Sequence, residues 1–126
     1  MKRILIIEDD QKIALAIAVR LKANGYEVHT AYDALTGLDA AVKLRPDLLI
    51  LDISLPGGSG FDVAEKIRNI ISTSSTPVIF VTASRKPEFV TRAAALGAVA
   101  FILKPFSNGE LLSDVRHALG EDLPAK

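Results

Sequence analysis

Acidic, hydroxyl and amine side chains stand at corresponding places along this chain, each directly after a short apolar run. Glu8, Asp9 and Asp10 follow residues 4–7, Asp52 follows 48–51, Thr82 follows 78–81, and Lys104 follows 99–103 with Pro105 and Phe106 behind it. Brought to one place, Glu8, Asp9 and Asp52 would repel one another unless a counter-charge or a proton intervened. Lys104 offsets one charge. A small hard divalent cation with oxygen ligands offsets the rest, and Mg²⁺, which retains several waters, suits such a site and would bridge the acids to a phosphoryl group. A carboxylate is a competent nucleophile toward phosphorus and forms an acyl phosphate. The transferring group needs its equatorial oxygens neutralised and its entering and leaving atoms held in line. Mg²⁺ and the Lys104 ammonium meet the first need, and the Thr82 hydroxyl and nearby backbone N–H groups are further donors. Asp52, ending a run central to the chain, is the best nucleophile candidate.

That convergence requires a particular scaffold. Apolar runs recur at 4–7, 26–31, 48–51, 78–81 and 99–103. Four are almost continuous in Ile, Val and Leu, as strands covered on both faces of a parallel sheet read. The run 26–31 interleaves Glu27, His29 and Thr30 with apolar residues and belongs at an edge. Helical spacing follows each run. Ile13, Ile17 and Leu21 form the first stripe, ended by Asn24-Gly25. Leu35, Leu38 and Val42 form the second, which stops before Pro46. Val63, Ile67 and Ile70 follow Ser59 as N-cap. Phe89, Ala93 and Leu96 follow Pro87 at a first helical position. Leu111, Val115 and Leu119 follow the capping-box spacing of Ser107 and Glu110. This alternation predicts an α/β fold: a doubly wound five-stranded parallel sheet, strand order 2-1-3-4-5, with helices on both faces. Ligands of such sheets bind beyond the carboxyl ends of the strands, where strands 1, 3, 4 and 5 would deliver Glu8, Asp9, Asp52, Thr82 and Lys104 to one mouth.

Composition removes other classes. A chain of 126 residues makes one domain, read here as 1–120 with 121–126 as a short C-terminal tail. Fifteen Lys+Arg balance fifteen Asp+Glu, so there is no broad basic field for direct nucleic-acid binding. With no cysteine, disulfides, thiol nucleophiles and Cys-ligated metals are excluded. No apolar run approaches membrane-spanning length, and the apolar stretch after Met1-Lys2-Arg3 is too short for a signal peptide, so a cytoplasmic protein without membrane contact is expected. The run Gly57-Gly58-Ser59-Gly60 lacks phosphate-loop spacing and follows the third strand. A dinucleotide site would want its glycines after the first strand, where this chain has acids. Asp10 reads as a helix N-cap, His29 and His117 as solvated, and Arg85-Lys86 as a solvated helix start. Taken alone, Thr82 could equally cap a helix, Phe101 could be plain packing, and Lys104 an ordinary strand-end lysine.

Four ordered blocks carry a resemblance: Ile4-Leu5-Ile6-Ile7-Glu8-Asp9-Asp10; Asp47-Leu48-Leu49-Ile50-Leu51-Asp52-Ile53-Ser54-Leu55-Pro56; Val81-Thr82-Ala83; and Gly97-Ala98 through Phe101 to Leu103-Lys104-Pro105-Phe106. With them the chain resembles, over essentially its whole length, the receiver domain of bacterial two-component response regulators, whose fold is flavodoxin-like. The resemblance implies a signalling switch, not an enzyme in the ordinary sense, that promotes its own phosphorylation and slow autodephosphorylation. It implies Asp52 as phosphoacceptor from the phosphohistidine of a histidine kinase or phosphotransfer protein. Glu8, Asp9, Asp52 and the main-chain carbonyl of Ser54 would hold Mg²⁺, and Lys104 would pair with the phosphoryl group. The Lys104-Pro105 bond would be cis. Thr82 and Phe101 would be a switch pair that alters the face of the fourth helix, fifth strand and fifth helix toward a downstream effector or output domain. A phosphorylation-dependent dimer is compatible with it. The chain departs from the family at Gly57-Gly58-Ser59-Gly60, where the extra glycine should loosen the loop beside the acceptor. It departs also at Phe101, which lacks the frequent tyrosine hydroxyl, and at Val99-Ala100 in place of an acid. The alternative is an aspartate-nucleophile phosphatase or phosphotransferase of haloacid-dehalogenase type. It is disfavoured because Ser54 stands where the second Asp, the general acid, would be. Small Ser54 and Ser84 should leave water access to an acyl phosphate.

Overall fold

Strand-forming runs of Ile, Leu and Val build the centre of the molecule, and the computed structural model describes residues 1–121. The main sheet contains β1 (Arg3–Ile7), β2 (Glu27–Ala31), β3 (Leu48–Asp52), β6 (Val78–Thr82) and β7 (Ala100–Leu103). The connections carry α1 (Gln11–Ala23), α2 (Ala34–Leu44), a hairpin of β4 (Ser54–Leu55) and β5 (Gly58–Ser59), α3 (Gly60–Arg68), α4 (Pro87–Ala95) and α5 (Asn108–Ala118). The order β2-β1-β3-β6-β7, parallel throughout, is the predicted 2-1-3-4-5. Every residue of β3 and β6 is buried, whereas β2 at its edge is mostly half-buried, as its polar interleaving requires.

Alternation along the strands divides the core in two. Leu5, Ile7, Leu49, Leu51, Val78 and Phe80 face α2, α3 and α4. Ile4, Ile6, Leu48, Ile50, Ile79, Val81 and Ile102 face α1 and α5. The expected caps are present: Asp10 accepts from the N–H groups of Lys12 and Ile13, Ser107 from that of Glu110, and Pro87 opens α4. Ser59 and Asp62 complete a reciprocal capping box at the start of α3.

Several expectations are corrected. In α2 the buried face is Ala34, Gly37 and Ala41; of the predicted stripe Leu38 packs half-buried against the core, whereas Leu35 is 76% exposed and Val42 is exposed too. The reason is proximity, because a Cβ on Gly37 would lie 2.6 Å from the Ile7 side chain. Helix α3 ends at Arg68, so Ile70 lies beyond it and is half-buried; a 3₁₀ turn, Ile71–Thr73, follows. The stretch expected to be loosened by glycine is instead an ordered hairpin with Ser54 opposite Ser59 and Leu55 opposite Gly58. Gly57, at φ 80, supplies the left-handed position that a tight turn behind Pro56 requires. His29 is not simply solvated, since its Nε2 lies 2.7 Å from Glu27 Oε2. Of the predicted tail, Glu121 accepts a hydrogen bond from Tyr26 Oη, and residues 122–126 lie outside the described residues. Among the described residues no helix is long and apolar enough to cross a membrane.

Candidate functional site

The ladder of the sheet continues for one residue past the strands and thereby aims the polar side chains. Glu8 N–H donates to Ala31 C=O at 3.0 Å, and Lys104 N–H donates to Thr82 C=O at 2.9 Å. Asp52 is the last residue of β3, paired in register with Val81. Rigid backbone thus fixes the Cα positions of Glu8, Asp52, Thr82 and Lys104 at the carboxyl ends of adjacent strands.

Their side chains meet. Lys104 Nζ donates to Glu8 Oε1 at 2.5 Å and to Asp52 Oδ2 at 3.2 Å. Glu8 is 2% exposed and Asp52 6%, so two carboxylates are buried around one ammonium, while Asp9 is exposed at the rim. Glu8, Asp9 and Asp52 can each present an oxygen within 4.8 Å of the others. Backbone donors complete the arrangement: Asp10 N–H to Glu8 Oε2 at 3.1 Å and Ser54 N–H to Asp52 Oδ1 at 3.3 Å. The hydroxyl of Thr82, a buried residue, accepts from Ser84 N–H at 3.2 Å. Burial pushes the Glu8 carboxyl from 4.5 up to about 7; Lys104 and the Asp10 N–H pull against it, and Asp52 pushes with it. For Lys104 burial opposes the ammonium, but Glu8 and Asp52 outweigh it and hold its pKa above the ordinary 10.5. Two buried acids and one ammonium leave negative charge in excess, and Asp9 adds to it. An all-oxygen, carboxylate-rich donor set of this kind fits a hard divalent cation such as Mg²⁺.

The remaining predicted residues fall beside this cluster. Ser54 is exposed at the start of β4. Phe101 is half-buried on β7 opposite Phe80, packed on the core face that α4 covers. Thr82 stands two residues beyond Phe80 on the same strand and so shares that face. The Lys104-Pro105 peptide bond is cis, as the resemblance implied. Gly60 was missed as a site residue. A Cβ there would lie within 2.1 Å of the Asp52 carbonyl oxygen, and Gly60 N–H donates to Ile53 C=O at 2.7 Å, so only glycine lets the hairpin close behind the acceptor strand. Its signal was the third glycine of the run 57–60. Beside the mouth, a groove of about 490 Å³ between α1 and α5 is lined by Ile13, Ile17, Lys104, Phe106 and Leu111, among others.

Five parallel strands in this order, with an acid pair, a central Asp, a Thr and a Lys at their carboxyl ends, define a class of signalling module. The chain belongs to the response regulator receiver domain family, whose model matches residues 4–116. It is 38% identical over 119 residues to the DNA-binding dual master transcriptional regulator RpaA of Synechocystis sp., covering 94% of this chain and 49% of RpaA. The chain spans about half the length of the curated relatives it matches. Among solved structures, chemotaxis protein CheY4 of Vibrio cholerae superposes with a TM-score of 0.89 at 31% identity, over 94% of this chain and 99% of that one. The receiver domain of the sensor histidine kinase PA1611 of Pseudomonas aeruginosa, solved with magnesium coordinated in its active-site cleft, gives 0.86 at 25% identity over 94% and 98%. Receiver domains are signalling modules of two-component systems rather than enzymes in the ordinary sense.

Proposed function

We propose that this domain is a phosphorylation-operated switch in which Asp52 accepts a phosphoryl group from the phosphohistidine of a histidine kinase or phosphotransfer protein. The observation that carries the reading is the Lys104 ammonium held between Glu8 and Asp52 in a buried mouth. Glu8, Asp9, Asp52 and the Ser54 carbonyl would hold Mg²⁺, which when bound supplies charge neutralisation to the phosphoryl oxygens. An Asp52 carboxylate oxygen forms the new bond to phosphorus as the P–N bond of the phosphohistidine breaks and its electron pair stays with the imidazole nitrogen. Lys104, already on Asp52 Oδ2, moves its ammonium to a phosphoryl oxygen, and the Thr82 hydroxyl donates to another. Withdrawal of Thr82 frees space on the face shared with Phe101, and the surface of α4, β7 and α5 changes its affinity for an effector or output domain. The groove between α1 and α5, with Ile13, Ala16 and Phe106 beside Lys104, supports docking of the histidine-bearing partner. The described residues form the receiver unit, and a cytoplasmic setting without membrane or direct nucleic-acid contact suits it. Ser54 and Ser84, both small, leave the acyl phosphate open to water, so the phosphorylated state reverts on its own. The haloacid-dehalogenase alternative stays disfavoured for want of a general acid at Ser54.

The test is incubation with Mg²⁺ and acetyl phosphate, read by intact mass. Wild type should gain one phosphoryl group and Asp52→Asn none. A wild type unlabelled by acetyl phosphate and by a phosphorylated histidine kinase would end the reading.

A further inference from the structure

Helix α4 is seated weakly by burial. Ala93 is its only buried residue, Val90 is 48% exposed, and its N-cap Lys86 makes no side-chain capping bond. What holds it is a set of side chains on α3. The Phe89 ring meets Phe61 edge-on, with centroids 5.5 Å apart. The Arg92 guanidinium lies 4.7 Å from the centroid of the same Phe61 ring and bonds Glu65 Oε1 at 2.9 Å. At the far end Arg68 Nε donates to the Leu96 carbonyl at 3.0 Å, and its Nη1 donates to the Thr76 carbonyl at 2.6 Å. The guanidinium therefore caps the negative end of α4 and pins that end to α3 and to the connection into β6.

Phe61 is common to both halves of this arrangement. It is 2% exposed, packs on Phe80 at 5.2 Å between centroids, and directly follows Gly60, whose N–H is bonded to Ile53 C=O. Ile53 and Ser54 are the two residues that follow Asp52. A cleft of about 370 Å³, lined by Ile53, Ser54, Phe61, Phe89 and Arg92 among others, separates the acceptor loop from α4 and gives the helix start room to move.

We propose that Phe89 and Arg92 are positioning residues. They clasp α4 onto Phe61, Phe89 from its first turn and Arg92 from its last, and with Arg68 at the Leu96 carbonyl they carry a shift of the acceptor loop to the helix as a whole. This is a route from Asp52 to α4 through α3, separate from Thr82 and Phe101. Its coupling half rests on the proposed phosphorylation of Asp52; the clasp itself does not.

The experiment is hydrogen exchange of α4 amides in wild type, Phe89→Ala, Arg92→Gln and Arg92→Lys. Each is measured with EDTA and again after Mg²⁺ and acetyl phosphate, with labelling followed by intact mass. Without phosphodonor, Phe89→Ala and Arg92→Gln should speed exchange of the hydrogen-bonded α4 amides by about tenfold, the scale of one lost aromatic or cation–π contact. The α3 amides should keep wild-type rates. After labelling to equal extent, the change in α4 exchange seen in wild type should shrink in both variants, and Arg92→Lys, which keeps a cation over the ring, should restore it. Wild-type exchange in the unlabelled variants would overturn the clasp. A full-sized response in labelled Arg92→Gln and Phe89→Ala would overturn the coupling. A wild type that does not label would end the phosphoacceptor reading and the coupling with it, while the EDTA measurements would still decide the clasp.

Discussion

Replacing Lys104 by Met keeps the buried stem and removes the charge, which makes it a clean test of what balances the acids. The ammonium contacts Glu8 and Asp52, whose side chains are 3% and 7% exposed. Deleting one member of a buried ion pair ordinarily costs about 3–5 kcal/mol, because the partner is left charged and dry. Here a proton can stand in. The Glu8 carboxyl already titrates near 7 in the folded protein, against 4.5 ordinarily, and without Lys104 it will rise further. In both proteins the folded state binds this proton more tightly than the unfolded chain, so stability falls as pH rises from about 4.5. In wild type that fall ends near 7, where Glu8 ionises beside the ammonium. In Lys104→Met it continues at about 1.4 kcal/mol per pH unit. The Glu8 contribution to the difference should be close to nil at pH 6 and reach about 3 kcal/mol by pH 9. Loss of the Asp52 contact adds an offset. Urea unfolding in EDTA across this range measures it, with Lys104→Met/Glu8→Gln as control, in which the excess slope should vanish. A deficit in Lys104→Met of the same size at pH 6 and pH 9 would refute protonation of Glu8 as the substitute for the ammonium.

Other substitutions probe the scaffold and the lifetime of the product. Gly60→Ala forces a methyl to within 2.1 Å of the Asp52 carbonyl, so the hairpin must move; a loss of at least about 2 kcal/mol in urea unfolding and weaker labelling by acetyl phosphate are expected. Gly37→Ala gains roughly 1 kcal/mol of helix propensity but drives a Cβ to 2.6 Å from fully buried Ile7. Overpacking at about 1–3 kcal/mol should win and lower the urea midpoint. Ser84→Leu should lengthen the phosphoryl half-life, followed by mass after removal of donor, because the small side chain beside Thr82 leaves water a path; an unchanged half-life would count against that path.

What could be read from the residues alone follows from how each signal is encoded. Strand order and the mouth were legible because a doubly covered strand needs an unbroken apolar run, and the first polar residue after it has nowhere to point but the carboxyl edge. Glu8, Asp52, Thr82 and Lys104 were found in that way, from four independent runs. The hairpin of β4 and β5 was not, since two-residue strands have no period and its glycines suggested looseness. Gly57 and Gly60 serve order there, one by its left-handed turn and the other by contact at the Asp52 carbonyl. The inward face of α2 was misassigned in part, Leu38 of the predicted stripe reaching the core and Leu35 not, for a related reason. Periodicity counts large apolar residues, whereas helix and sheet approach so closely at Ile7 that only Ala34, Gly37 and Ala41 fit between them, and Leu35 is left to water. The same blindness hid the clasp on Phe61. Arg92 carries no signal in the sequence, and only the packing of α4 on α3 sets its guanidinium over an aromatic ring. Charges aligned by a strand end are visible in one dimension; contacts made by close approach or by a helix crossing require the third. The residues that tune this domain's response are therefore to be sought among the second kind, where chains that share the same acids and lysine are free to differ.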